Sequence, residues 1–361
     1  MHVSALKLAN FRNFECADFT FDSGKTAVCG DNARGKSNLL EALYFLAIAR
    51  SGRGSRDRDV LRRGADYFTI DARVEREDRS LAIRIVHDLR VGKKKAYLDG
   101  RPLPRLSGLI GALNAVLFSP EDVDLVLRNP PQRRRILDIL VSQSNAAYLS
   151  DLDHYRRALA HRNRLLKDLG RSLLSRSDQL APWDSQIAEL GARIIRCRWA
   201  ALGEIQPALQ DYYRHISAGS ERLSADYRSP VSEGDCKQAQ EILMSVLARR
   251  RSEEVALGFT LTGPHRDNLV FHLDGQAAHR FASKGQLKSV LLAWKLAEAS
   301  FLESRTGRRP VMLMDDIFSE LDRKRALSLL DLISSFGQVV ITSARDPDLA
   351  FGDQGFHILD L

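Results

Sequence analysis

The sequence predicts an α/β protein in which both ends of the chain together form one domain with a mixed sheet, and a mainly helical segment is inserted as an arm. Strand-like alternation fills residues 1–118, helical periodicity dominates residues 119–255, and strand patterns return in residues 256–361. A chain of 361 residues is long enough for two such domains. These three ranges are the predicted domain boundaries.

The composition indicates a soluble protein with an anionic partner. A hydrophobic content of 44% and a charged content of 28% predict a packed core. The formal net charge of +8 favours a polyanion such as nucleic acid, although a surplus of charge also serves solubility. The four cysteines have no zinc-site spacing and are expected to be reduced thiols. Neither a signal peptide nor a membrane-spanning run is evident, so we expect a cytoplasmic protein.

The N-terminal third predicts strands and one early helix. The segments HVSALKLANF, ECADFTFD and GKTAVCG have the alternation of strands, and the third ends at Gly30. The segment KSNLLEALYFLAIA then has the apolar spacing of a helix. Two further strand-like runs follow, and a basic turn at residues 92–95 predicts a hairpin.

The remainder of the chain predicts a helical middle and a second α/β portion. From Pro120 to about Ala256 the pattern is almost wholly helical. Strands are expected at VALGFTLTG (255–263) and NLVFHLD. A long helix after Gly285, the buried strand in PVMLMDD, another helix, and strands in QVVITSA and GFHILDL complete the predicted order.

The segment GDNARGKSN, residues 30–38, fits the phosphate-binding pattern G-x-x-x-x-G-K-[ST] between a strand and a helix. Its glycines let backbone N–H groups point at phosphate oxygens, and the helix dipole adds positive potential. Lys36 is expected to reach the β- and γ-phosphates, and the Ser37 hydroxyl to ligate Mg²⁺. The alternative is a chance glycine loop.

Two carboxylates follow the buried run Val311–Met314. Such strands deliver the next residues to the carboxyl edge of a parallel sheet, where ligands bind. We therefore predict that Asp315 holds Mg²⁺ and that Asp316 polarises an attacking water. A solvated acidic strand end is the alternative.

The short element SKGQ begins the long helix near the C-terminal end. Ser283, Gly285 and Gln286 would present a hydroxyl and backbone N–H groups to an anion, as helix N-termini do. Taken alone, the element is more typical of a plain helix cap.

The motif order resembles the ABC-type ATPase head that SMC proteins share, and over the full length the chain is similar to the RecF family of bacterial recombination mediators. The segments that carry the resemblance are LANFRNF, GDNARGKSNLLEALYFL, LFSPEDVDLVLRNPPQRRRILD, LTGPHRDNL, SKGQLKSVLLAWKLAE, MLMDDIFSELD and QVVITSA. The resemblance implies an ABC-type head with an inserted helical arm, and a head-to-tail homodimer in which each subunit completes the other's ATP site.

The resemblance also implies roles for individual positions. Lys36 and Asp316 would be catalytic, Ser37 and Asp315 would bind Mg²⁺, and Asp322 would lie in a loop that touches the partner subunit. Thr342 occupies a position where transporters usually have a switch histidine. The implied nucleotide contacts are Arg12, Asn13, Gly30, Asp31, Asn32, Ala33, Arg34, Gly35, Lys36, Ser37 and Asn38, with Ser283, Gly285 and Gln286 acting across the dimer. Lys284 stands where the family favours Gln, and Asn268 stands where it favours Asp.

The function that the resemblance implies is ATP-gated DNA binding in recombinational repair. ATP and Mg²⁺ would join two heads that grip single- and double-stranded DNA without sequence preference, and a weak, DNA-stimulated ATPase would release them. Partners similar to RecO and RecR would then assist the loading of RecA. The candidate phosphate-neutralising clusters lie at residues 50–63, 93–95, 133–135 and 249–251.

Three other functions compete with this interpretation. The first is a DNA clamp that binds ATP without significant turnover, and the second is a transporter subunit, which the long helical insert and Thr342 disfavour. The third is a long-armed SMC-like tether, which the length of the insert disfavours at about 1.5 Å of rise per helical residue.

Overall fold

The structure is a computed structural model that describes residues 1–31, 33–52, 56–119, 129–171, 177–219, 221–232, 234–319, 323–333, 335–343 and 355–361. Its packing divides the chain into two compact units. Unit 1 comprises Met1–Leu125, Ala208–Leu223 and Phe281–Leu361, and unit 2 comprises Val126–Pro207 and Ser224–Arg280. The predicted domain boundaries after residues 118 and 255 stay predictions. Within the described ranges, no helix is both long enough and apolar enough to cross a bilayer.

The strands have the following bounds in chain order. They are β1 (His2–Phe11), β2 (Phe14–Thr20), β3 (Lys25–Cys29), β4 (Tyr67–Glu75), β5 (Ser80–Asp88), β6 (Lys93–Leu98), β7 (Arg101–Pro102), β8 (Ala115–Phe118), β9 (Leu223–Arg228), β10 (Asn268–Leu273), β11 (Gln276–Ala277), β12 (Val311–Met314), β13 (Val339–Thr342) and β14 (Phe356–Asp360).

The helices are α1 (Lys36–Ile48), α2 (Pro130–Ser144), α3 (Ala146–Arg171), α4 (Ala181–Ile216), α5 (Cys236–Leu257), α6 (Ala278–Phe281), α7 (Lys284–Thr306) and α8 (Arg323–Ile333). Short 3₁₀ turns lie at Asp57–Asp59, Leu106–Leu109, Ser177–Leu180 and Ile317–Ser319.

Unit 1 contains a parallel sheet and an antiparallel sheet, as the mixed α/β prediction requires. The parallel sheet has the order β14-β3-β13-β12-β8. Every residue of β8, β12 and β13 is buried, which is typical of strands covered on both faces. The antiparallel sheet has the order β2-β1-β4-β5-β6-β7, and β5 alternates between exposed and buried residues. The predicted fold class is therefore confirmed.

Helix α1 forms the core between the two sheets of unit 1. It packs against β8, β12 and β13 of the parallel sheet and against β4 of the antiparallel sheet. Phe11, Phe45 and Phe68 meet edge to face there, with ring centroids 5.7–6.2 Å apart. Helix α7 is buried along most of its length and packs against β8. This packing fixes where α1 begins, at the edge of the parallel sheet.

Unit 2 is mainly helical but also contains strands. Helix α3 packs against α2 and α5, and α2 packs against β10 of the small sheet β11-β10-β9. Strand β9 lies inside the range that the sequence predicts as almost wholly helical. Its six residues LSADYR alternate in burial, which is the pattern of a half-buried strand.

The predicted strand at residues 255–263 is wrong. Helix α5 continues to Leu257 and ends at Gly258, which has a left-handed backbone (φ 73°). The following backbone N–H groups bond to side chains instead of a neighbouring strand: Thr260 donates to Asn163 Oδ1 at 2.8 Å and Leu261 to Glu254 Oε1 at 2.7 Å. Alternation of apolar residues alone did not reveal these side-chain partners.

A buried polar network holds the GPHRD segment in unit 2. Arg198 is only 2% exposed and donates to Asp138 Oδ1, the Tyr227 hydroxyl and the Pro264 carbonyl at 2.7–2.9 Å. The Tyr227 hydroxyl in turn donates to Asp267 Oδ2 at 2.5 Å. The buried guanidinium of Arg198 therefore has a carboxylate partner in Asp138, which is the condition for burying it at tolerable free-energy cost.

Both ring nitrogens of His265, in the same segment, lie within hydrogen-bond distance of other groups of unit 2. Its Nδ1 lies 2.7 Å from the Tyr155 hydroxyl and its Nε2 lies 3.1 Å from the Thr260 carbonyl oxygen. Gly263 has φ 128°, and a Cβ there would lie 2.4 Å from the Tyr155 hydroxyl oxygen. Burial lowers the pKa of His265 to about 4, so the ring is neutral at pH 7.

We predict that His265 destabilises the folded protein as the pH falls. The unfolded state, with a histidine pKa of about 6.5, binds the proton more readily than the folded state, so stability is full above pH 6.5 and is lost towards pH 4. Between pH 7.5 and pH 5 this contributes on the order of 2 kcal/mol. The measurement is urea unfolding at both pH values for the wild type, His265→Asn and the exposed-residue control His154→Asn. An equal pH dependence in the wild type and in His265→Asn would contradict the assignment.

Candidate nucleotide-binding site

The loop between β3 and α1 has the backbone that a phosphate cradle needs. Gly30 has φ 137° and Gly35 has φ 113°, conformations that favour glycine. A Cβ at Gly30 would lie 2.4 Å from the Leu361 carbonyl oxygen, and one at Gly35 would lie 2.6 Å from Asn13 Nδ2. Both glycines are therefore required by close neighbours as well as by their own backbone.

Lys36 folds back over this loop. Its Nζ donates to the carbonyl oxygens of Gly30 at 2.6 Å and Asp31 at 2.8 Å, and the residue is only 9% exposed. The ammonium group therefore lies over the start of the loop, beside the backbone that a phosphate would approach. Replacing these carbonyls with phosphate oxygens requires a rearrangement of one flexible side chain.

Asn13 fastens the other end of the loop. Its Nδ2 donates to the Arg34 carbonyl at 2.8 Å, and its Oδ1 accepts from Asn38 Nδ2 at 2.8 Å. Ala33 adopts a left-handed backbone (φ 68°), and Arg34 is exposed, 4.0 Å from the Asp31 carboxylate. Three of the predicted contact residues, Asn13, Arg34 and Asn38, are thus connected by hydrogen bonds in unit 1.

Arg12 forms an ion pair with a buried carboxylate in unit 1. Its guanidinium donates through Nε and Nη2 to both oxygens of Glu41 at 2.9 Å, and through Nη1 to the Asp59 carbonyl at 2.7 Å. The Glu41 side chain is only 1% exposed and also accepts from the Ser51 hydroxyl at 2.5 Å. In this structure Arg12 neutralises a buried carboxylate, and its contact with nucleotide stays a prediction.

Four residues of the acidic edge meet around one carboxylate oxygen. Asp315 Oδ1 accepts from the Ser37 hydroxyl at 2.7 Å and from the Thr342 hydroxyl at 2.8 Å. The Thr342 hydroxyl also accepts from the Asp316 backbone N–H at 2.8 Å. Asp316 has φ 42°, and this bond stabilises its left-handed backbone. The sequence-predicted metal residues Ser37 and Asp315 are therefore in direct contact.

The donor set fits a magnesium ion. Mg²⁺ prefers oxygen ligands and is usually held by one or two protein groups together with phosphates and waters. The Ser37 hydroxyl and the carboxylate of Asp315, a residue that is 7% exposed, supply such oxygens at the phosphate loop. Among the described residues, no cluster of three or more His, Cys, Asp or Glu side chains has a metal-binding arrangement.

The start of α7 forms a separate cluster in unit 1. Ser283 Oγ accepts from the Gln286 backbone N–H at 3.2 Å, and Gln286 Oε1 accepts from the Ser283 backbone N–H at 2.7 Å. This reciprocal pair is a capping box. Ser283 and Lys284 are exposed and Gly285 is half-buried. The Gln286 side chain also donates to Glu221, which accepts from the Tyr213 hydroxyl at 2.7 Å.

Two of the predicted residues, Asn32 and Asp322, lie outside the described residues. Among the described residues, hydrogen bonds connect other predicted site residues in three groups. The groups are Asn13 with Arg34 and Asn38, Lys36 with Gly30 and Asp31, and Ser37 with Asp315. The described hydrogen bonds of the Ser283 and Gln286 side chains run to each other and to Glu221.

Several basic residues of the predicted clusters form ion pairs or hydrogen bonds with other residues of the chain. Residues 89–92 form the hairpin turn, and Lys93 begins β6, so the basic run at 93–95 is part of a strand. The Lys94 side chain is 7% exposed, bonds to Asp57 Oδ1 at 2.7 Å and lies over the Phe45 ring. Burial lowers its pKa, although Asp57 opposes the shift. Lys93 and Lys95 are exposed on the other face.

Two arginines of the cluster at residues 133–135 also form hydrogen bonds within the protein. Arg133 is 2% exposed and donates to Asn268 Oδ1 at 2.9 Å, while Arg134 donates to the Asp267 carbonyl at 2.8 Å. The departure at Asn268 thus has a structural role, since its amide oxygen accepts from a buried guanidinium. Arg251 bonds to Asp184 at 2.9 Å.

Sequence reasoning missed Glu41, Glu221 and the hydrogen-bonding role of Thr342. Glu41 had a detectable signal, because a carboxylate inside the apolar helix LLEALYFL needs a cationic partner if it is buried. Glu221 had none, since it is 65 positions from Gln286 in the sequence. Thr342 was interpreted only as the absence of a histidine.

Comparison with known proteins gives a consistent family. The model of the RecF/RecN/SMC N terminal domain matches residues 2–360. A protein of Lactobacillus delbrueckii subsp. bulgaricus, named DNA replication and repair protein RecF, is 38% identical over 347 residues, covering 95% of this chain and 91% of the relative. A protein of the same name from Synechococcus sp. is 38% identical over 354 residues, covering 96% and 92%.

Solved structures show the same likeness. A structure of the recombination mediator protein RecF with ATP in the RecFOR pathway has a TM-score of 0.90 and 31% identity, with 96% of this chain and 93% of that chain covered. A Smc head bound to the C-terminal winged-helix domain of ScpA has a TM-score of 0.57 at 18% identity, and shows the fold alone.

We predict that Arg12→Ala lowers the free energy of unfolding by about 3 kcal/mol, because it leaves the Glu41 carboxylate buried without its guanidinium. The double variant Arg12→Ala/Glu41→Gln should recover most of the loss. Arg34→Ala, which removes an exposed arginine 4.0 Å from its acidic neighbour, is the control and should change stability little. Denaturant unfolding measures all three, and equal stability of Arg12→Ala and Arg34→Ala would contradict the structural role.

We also predict that Thr342→Val destabilises the protein by about 2 kcal/mol, because the Asp316 N–H and one Asp315 lone pair lose their partner in a buried position. Thr342→Ser keeps the hydroxyl and should retain most of the stability. Thr342→Val keeps the methyl group and removes the hydroxyl, whereas Thr342→Ser does the reverse. A valine variant that is as stable in thermal unfolding as the wild type, or more stable than the serine variant, would contradict this contribution of the hydroxyl bonds.

Proposed function

The chain belongs to the RecF/RecN/SMC N-terminal domain family, and we propose that it is an ATP-dependent DNA-binding protein of recombinational repair. The observation that carries the proposal is the meeting of Ser37 and Asp315 beside a loop closed by Lys36. The relatives named DNA replication and repair protein RecF cover almost the whole chain, which supports the same function. A RecF structure with ATP supports the choice of nucleotide.

The phosphate loop and the acidic edge supply the parts of an ATP hydrolysis site. Lys36 would leave the Gly30 and Asp31 carbonyls for the β- and γ-phosphates, and the loop N–H groups would bind the remaining phosphate oxygens. Ser37 and Asp315 would hold Mg²⁺, which would neutralise phosphate charge. Asp316 would accept a hydrogen bond from the attacking water and orient it, giving ADP and phosphate.

The start of α7 would complete the site of a second subunit. Ser283 Oγ uses a lone pair for the Gln286 N–H, so its own proton stays available to donate to a phosphate oxygen. The first N–H groups of α7 lack intrahelical partners and point in the same direction as the positive end of the helix dipole. ATP would then bind two subunits head to tail, with each subunit supplying half of each site.

The anionic partner in this proposal is DNA. A formal charge of +8 and exposed residues such as Lys93 and Lys95 would bind the phosphate backbone of single- and double-stranded DNA without reading bases. ATP-driven pairing would strengthen the grip, and weak DNA-stimulated hydrolysis would release it. RecO- and RecR-like partners would connect this cycle to the loading of RecA, because a RecF structure of the RecFOR pathway has the same fold.

The split site gives a specific prediction for variants. Lys36→Arg should impair nucleotide binding and Ser283→Arg should block the partner's phosphate, so each variant alone should fail to dimerise with ATP. In an equimolar mixture, some dimers would contain one subunit of each variant. In such a mixed dimer, one of the two sites combines an intact phosphate loop with an intact Ser283. The mixture should therefore recover part of the ATP-dependent dimerisation, measured by light scattering with and without gapped DNA.

The controls separate this outcome from misfolding and from a clamp without turnover. Thermal unfolding should show that both variants are folded. ATP-dependent dimers of either variant at the wild-type level, or a mixture no better than its components, would overturn the split site. Phosphate release at background level from wild-type dimers on DNA would instead favour a clamp that binds ATP without turnover.

A further inference from the structure

We propose that Glu221 is a positioning residue for the ATP-contacting end of α7. The inference rests on the proposed split site, and it adds a residue from a distant part of unit 1 to that site. Glu221 follows α4 in the sequence, after a turn in which Ala218 and Gly219 have left-handed backbones (φ 55° and 78°). The Glu221 carboxylate lies at the start of α7, where Gln286 contacts it.

Both oxygens of the Glu221 carboxylate are used. Oε1 accepts from Gln286 Nε2, and Oε2 accepts from the Tyr213 hydroxyl at 2.7 Å. Tyr213 is only 1% exposed and lies in α4, so the carboxylate is anchored to a packed helix. Two hydrogen bonds to a charged acceptor give the side chain a defined orientation.

This anchoring determines which way the Gln286 amide points. An ionised carboxylate only accepts hydrogen bonds, so it selects the NH₂ end of the amide. The oxygen end is then directed at the Ser283 backbone N–H, 2.7 Å away. If the amide were reversed, its oxygen would face the carboxylate and its NH₂ group would face the N–H, and both contacts would be repulsive.

The orientation of Gln286 in turn fixes Ser283. The capping box holds the Ser283 backbone through Gln286 Oε1 and the Ser283 hydroxyl through the Gln286 N–H. With both bonds formed, the Ser283 proton is directed away from the helix, where the partner's phosphate would bind. Glu221 thus preorganises a group that would act on the other subunit's nucleotide, and does not itself touch the nucleotide of its own subunit.

Two substitutions distinguish a positioning role of Glu221 from a simple effect of its negative charge. Glu221→Gln keeps an oxygen for Gln286 Nε2 and a polar group for Tyr213, but removes the negative charge. Glu221→Ala removes the acceptor altogether. A positioning role predicts that the glutamine variant, which keeps an acceptor for Gln286 Nε2, is weakened less than the alanine variant, which has none.

The experiment measures two properties of each variant. Binding of a fluorescent ATP analogue is titrated at protein concentrations where the chain is monomeric, and ATP-dependent dimerisation is followed by light scattering. For Glu221→Ala we expect unchanged nucleotide affinity of the monomer and dimerisation weakened about tenfold, the usual size for loss of one charge-assisted hydrogen bond. Asp211→Ala, which removes an exposed carboxylate of α4, should match the wild type in both measurements.

Each outcome supports or overturns the inference. Dimerisation of Glu221→Ala at the wild-type level, while Ser283→Arg is defective, would overturn the role of Glu221 and leave the split site intact. A glutamine variant as weak as the alanine variant would assign the effect to charge and would also overturn it. Wild-type-like dimerisation of Ser283→Arg would instead remove the proposed split site on which the inference depends.

Discussion

The hydrogen bond between Ser37 and Asp315 depends on the parallel register of three strands. The two residues are 278 positions apart, yet β3, β13 and β12 are adjacent in the sheet and end at the same edge. Thr342 at the end of β13 lies between them in this order and completes the contact. Reversing any one of these strands would carry its terminal polar residue to the opposite edge. The chemistry of the site is therefore a consequence of sheet topology before it is a property of any motif.

The sequence predicted the motifs that combine a local backbone requirement with a fixed chemical role. The glycines of GDNARGKS and the carboxylates after VMLM belong to segments whose structure depends mainly on neighbouring residues. The partners of Arg12, Lys94 and Arg133 were not readable, because each depends on which distant element packs against it. The wrong strand at residues 255–263 has the same cause in part, since Asn163 of the distant helix α3 accepts from the Thr260 backbone N–H, while Glu254 of the preceding helix α5 accepts from that of Leu261.

The buried arginines affect how much of the positive charge of the chain lies on its surface. Arg198 and Arg162 are paired with buried carboxylates of Asp138, Asp184 and Glu254, so burial removes positive and negative charge together and leaves the surplus on the surface. Arg133 is also buried and donates to the amide oxygen of the half-buried Asn268. A count of arginines in the sequence therefore overstates the number that are exposed to solvent, although the surface as a whole stays basic. If the proposed DNA binding holds, its salt dependence would reflect only the exposed cations.

A helix cap and an anion site are compatible at Ser283, although the sequence presents them as alternatives. The cap uses a lone pair of the hydroxyl and the N–H of the third helical residue. Anion binding would use the hydroxyl proton and the N–H groups of the first two helical residues, which the cap leaves without intrahelical partners. In this proposal the capped form would accept a phosphate without breaking a hydrogen bond. The orientation of Gln286 matters here, because a reversed amide would turn its NH₂ group towards the Ser283 N–H and remove the capping bond that Gln286 Oε1 accepts.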